Sequence, residues 1–78
     1  MEPTIGRIVH YTSLGDKDGI YPPEQQAAII TRVRQKMTNG RGWYVQLHIF
    51  FPTGQFDMDE VPFSETYERG CWSWPPRV

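Results

Sequence analysis

The stretch WYVQLHIFF, residues 43–51, constrains the fold more than any other part of the chain. Successive side chains of an extended strand point to opposite faces, so Trp43, Val45, Leu47, Ile49 and Phe51 share one face and Tyr44, Gln46, His48 and Phe50 the other. Asn39-Gly40 just before it favours the positive φ of a tight turn, and PTG after it can turn the chain into QFDMD. RIVHYTS, residues 7–13, is β-branched and aromatic and reads as a first strand, followed by the polar loop SLGDKDGIYPP. Residues 27–35, with the run Ile29-Ile30-Thr31-Arg32-Val33, lead through a turn into the central strand and are read as a strand themselves. A helix at 23–37 is the alternative, because Pro23 can begin one and Ile30, Val33 and Met37 would share a stripe. Near the end, Ser64 can cap a single helical turn that Gly70 terminates. CWSW then forms a last strand, stopped by Pro75, which has no amide hydrogen for a ladder. The expectation is one all-β domain over residues 1–78, a five-stranded Src-homology-3-like barrel with a short helical turn before the last strand. The α+β alternative is an antiparallel sheet with a helix at 23–37.

A chain of 78 residues lies near the size at which one core only just offsets conformational entropy, so it needs further fastening. Cys71 is the sole cysteine, which excludes an internal disulfide, and no CxxC or paired-histidine spacing offers a structural zinc site. Large aromatics or oligomerisation remain as fasteners, and no metal or cofactor is expected. The start of the chain has no basic residues followed by an apolar run, and no segment approaches the length of a membrane span, so a cytoplasmic, reducing setting is expected. The formal net charge of −1 argues against a general nucleic-acid coat.

Charge is nevertheless unevenly spread. Arg32, Arg34, Lys36 and Arg41 lie in a stretch with no acid, whereas Asp57, Asp59, Glu60, Glu65 and Glu68 gather later. On a regular strand Arg32, Arg34 and Lys36 would share one face, with Ile29, Thr31 and Val33 on the other. Such a row can clamp phosphates, since guanidinium groups bind phosphate oxygens in pairs; it is equally the composition of a solvated strand face. Trp72 and Trp74 share a face of the last strand. Turned inward they fill the core, and turned outward they offer a base something to stack on. Neither His10 nor His48 is paired in sequence with a nucleophile, and Cys71 reads as a small buried hydrophobe. The acids at 57–60 lack the glycine and ligand spacing of a calcium loop. These features point to a protein that is not an enzyme.

GRIVHY, AAIIT followed by Val33, LHIFFPTG and ERGCWSWPP together resemble a group of small proteins encoded by tailed phages and prophages. The likeness covers most of the chain and implies an accessory role during infection, such as counter-defence in the bacterial cytoplasm. With that setting, arginines for phosphates, aromatics for a base and histidine for a ribose or base edge suggest capture of a nucleotide-derived immune signal. The expected contacts are Arg7, Tyr11, Arg32, Arg34, His48 and Trp74, and a homo-oligomer would give so small a chain room for a deeper pocket. The other reading is a protein-interaction module that inhibits a host or defence protein. Direct binding of nucleic acid ranks below both.

Overall fold

A computed structural model describes residues 2–15, 23–52 and 54–76. Five strands, β1 (Ile8–Thr12), β2 (Gln25–Lys36), β3 (Trp43–Phe51), β4 (Gly54–Val61) and β5 (Trp72–Ser73), form one antiparallel sheet in the order β4-β3-β2-β1-β5. The protein is therefore all-β, with no helix among the described residues. The helix considered at 23–37 does not form. β2 instead pairs with β1 on one side and β3 on the other, which satisfies its backbone groups while its β-branched residues lie on a pleated surface. The loop expected after β1 falls in part on residues 16–22, outside the described residues.

The alternation read from β3 sets the core. Val45, Leu47 and Ile49 are fully buried and join Val9, Tyr11, Ala28, Ile30, Val61 and Trp72. Trp72 lies on β5, yet its indole N–H donates to the backbone carbonyl of Trp43 on β3 at 2.9 Å. In a flat sheet those strands, separated by β2 and β1, would stand about 14 Å apart. The sheet therefore curls over its own inner face, and Trp72 fills the hollow. It is not closed into a barrel. From β5 back to the chain beyond β4 there is one parallel bridge, Phe63 to Trp72, supported by Trp72 N donating to Pro62 O at 2.9 Å and Ser64 N to Trp72 O at 3.0 Å.

Two local features differ from the regular pattern. The segment from Ser64 to Gly70, expected as a helical turn, is irregular: Ser64 Oγ accepts the Thr66 amide at 3.3 Å, and Cys71 N donates to Glu68 O at 3.1 Å. A serine hydroxyl bonding the amide two residues on makes a local turn without helical continuation. The second feature is irregular register. On β2 the pairing shifts between Ile30 and Arg32 and again between Val33 and Lys36. On β4 three steps, from Met58 to Val61, answer two on β3, the count of a β-bulge, and Glu60 within it takes a positive φ of 52°.

Gly42 is required by close approach. A Cβ there would lie 2.5 Å from the Phe63 ring, which packs on Trp72 with centroids 4.8 Å apart. Gly42→Ala should therefore lower stability by about 1–3 kcal/mol through overpacking, seen as a lower urea midpoint with an unchanged slope. An unchanged midpoint would show that Phe63 is free to move.

Candidate functional site

The shifts in β2 redistribute the basic row. Arg32 opposes Gln46, Val33 opposes the buried Val45, and Lys36 opposes Trp43. Arg32 and Arg34 thus lie on the outer face, but Lys36 falls in the register of the core-facing residues. Ile29, expected on the face away from the arginines, shares the outer face with them, opposite His48.

On that face the acids of β4 meet the bases of β2 and β3. Arg34 makes a bidentate contact with Asp59, donating from Nε to Oδ1 at 2.9 Å and from a terminal nitrogen to Oδ2. This pairing holds the Asp59 carboxyl at a pKa of about 2, assisted by the Glu60 amide and more weakly by Arg32. His48 Nδ1 faces Asp57 Oδ1 at 2.7 Å, and its Nε2 faces Gln55 Oε1 at 2.9 Å. Both partners are placed to accept, which favours the doubly protonated ring, and its pKa is raised, first by Asp57 and then by Gln55. The Arg34 guanidinium and the His48 ring, both expected to grip a ligand, are thus engaged across strands.

The inner side carries a different constellation. Two adjoining depressions, of about 410 Å³ and about 190 Å³, share Arg41, Phe63 and Glu65. The smaller is walled by Trp43, Trp72, Trp74 and Pro3, and the larger mixes Asn39, Ser64, Thr66 and Glu68 with Met37 and Pro62. The β2–β3 turn places Arg41 there, its backbone amide donating to Asn39 Oδ1 at 2.9 Å. Trp74 stands edge to face against Trp72 with centroids 5.2 Å apart, and the Arg7 guanidinium lies over the Trp74 ring at 5.8 Å. A cation over an indole face is an attractive arrangement.

Of the six residues expected at a site, Arg7 and Trp74 come together beside this groove. Arg32, Arg34 and His48 lie on the opposite face of the sheet. Tyr11 is 2% exposed in the core, its hydroxyl pKa raised by burial and then by Cys71. Of the tryptophan pair, Trp72 belongs to the core and the half-buried Trp74 to the groove. Arg41, Trp43, Phe63 and Glu65 were not expected at a site. Arg41 was visible in the basic stretch and Trp43 at the start of the alternating strand, but only the curl of the sheet brings them against residues 62–74. Among the described residues no group of three His, Cys, Asp or Glu side chains is placed to hold a metal ion, and no helix is long and apolar enough to cross a membrane. No family model, curated protein or solved structure matches the chain.

The two outer-face pairs give opposite pH signatures. The folded pKa of His48 is raised above its ordinary 6.5, so its contribution is present below about pH 6.5 and fades as pH rises through the folded value. The urea midpoint gap between the wild type and His48→Gln should therefore be larger near pH 5.5 than near pH 9. Asp59 is depressed from 3.8 to about 2, so its contribution is present above about pH 4 and fades as pH falls through 2. Arg34→Ala should move the Asp59 titration, followed by NMR of the carboxyl carbon, back up toward 3.8. An unmoved titration would show that the pair does not form in solution.

Proposed function

We propose that the protein is a non-enzymatic phage accessory protein that captures a nucleotide-derived signal in the groove between the β2–β3 turn and residues 62–74, acting in the cytoplasm of the infected cell. One observation carries this reading: aromatic walls from Trp43, Phe63 and Trp74 stand with Arg41 in the same groove, and Arg7 lies over Trp74. Flat bases stack on such rings in a sequence-tolerant way, and guanidinium groups take phosphate oxygens. Asn39, Ser64 and Thr66 in the larger depression next to them offer amide and hydroxyl groups for a sugar. The sequence likeness to phage proteins supplies the biological setting.

Calorimetry against a panel of cyclic dinucleotides and ADP-ribose derivatives tests the proposal. At least one should bind, and Trp74→Ala should weaken it by about tenfold or more, as expected for loss of a stacked base. No heat with any compound, from a sample with native near-ultraviolet dichroism, overturns it.

A second reading, inhibition of a host or defence protein, draws on the outer face. Ile8 is 64% exposed and Phe50 37% exposed there, and Ile8 is opposed to Ile29. Exposed apolar side chains grouped on a sheet face are a common basis of protein contacts. Stoichiometric capture of one host protein, lost in Ile8→Ser and retained in Trp74→Ala, favours this reading; a second copy of the chain on that face is detected by the same variant in sedimentation.

A further inference from the structure

Glu65 lines both depressions, alongside Trp43 and Trp74 in the smaller one and alongside Ser64 and Thr66 in the larger one. A carboxylate at such range repels a phosphate. In a nucleotide complex it must therefore face the part of the ligand that carries hydrogen-bond donors, and Arg41, which lines the same two depressions, faces the phosphate. Glu65 lines the same depression as Trp43, Phe63 and Trp74, so a base stacked there has a carboxylate within the cavity to accept from its pairing edge. Guanine presents N1–H and the exocyclic amine side by side on that edge, a match for two carboxylate oxygens, which only accept. Adenine presents the lone pair of N1 instead, which a carboxylate opposes.

We propose that the groove selects guanine over adenine, with Glu65 accepting from the base edge and Arg41 binding the phosphate. This rests on the nucleotide reading above and assigns the base within it. Two parallel hydrogen bonds from the guanine edge to the carboxylate are lost with adenine, whose N1 lone pair faces an acceptor.

The test compares the guanine and adenine cyclic dinucleotides, together with GMP and AMP, by calorimetry on the full chain and on Glu65→Gln. Glu65 is exposed and its amide is close in shape, so the variant should retain the fold. The expected result is about tenfold or greater preference for the guanine compounds, falling to within about threefold in Glu65→Gln through loss of guanine affinity. Equal affinity for the two bases overturns the assignment and leaves the nucleotide reading standing. Affinity that falls when the ribose hydroxyls are removed, without regard to the base, moves Glu65 to the sugar and overturns it as well. Failure of every compound to bind removes both proposals.

Discussion

The indole of Trp72 is the contact on which the rest of the structure depends. It is 1% exposed, and its one polar atom bonds a carbonyl on β3. In a chain with so little interior, one such residue supplies both a large buried surface and a directional tie. The tie brings the far edge of the sheet over its middle. Phe63 packs against one side of Trp72, and Trp74 packs against Trp72 edge to face. Phe63 also fits only because residue 42 lacks a Cβ. The aromatic fastening inferred from size and the lack of a disulfide is thus built around one ring system, whose outer margin is the wall of the groove.

What the sequence made legible followed from local pattern. β3 could be read residue by residue because its alternation is unbroken and Val45, Leu47 and Ile49 on one face are fully buried. β2 was legible as a strand but not in its facing, since a bulge leaves no mark in composition and each inserted residue turns the following side chains over. Lys36 and Ile29 were consequently assigned to the wrong sides relative to the arginines. The segment after Ser64 carried capping chemistry, but Ser64 closed a local turn instead. The groove was the least legible part, because Arg41, Phe63 and Glu65 come from separate stretches that meet only once the sheet has curled.

The separation of the charged residues into two faces also has a physical logic. Acids on β4 and bases on β2 and β3, distinct blocks along the chain, become cross-strand neighbours and stabilise the exposed face modestly, as solvated pairs do. The charged pairs and the indole-lined groove thus lie on opposite sides of the same sheet, and the groove shares Trp72 and Phe63 with the packing that holds the fold.

The left-handed residue in β4 has a consequence for how the chain behaves among its own copies. β4 is the sheet's outermost strand beside β3, and a ribbon of unpaired amides and carbonyls at such a margin is a template for fibrous growth. At Glu60 the backbone rotates out of the extended conformation, so an incoming ribbon that zipped along residues 54–58 would lose step before reaching Val61. A single twisted peptide near its end thus shortens the margin available for accretion.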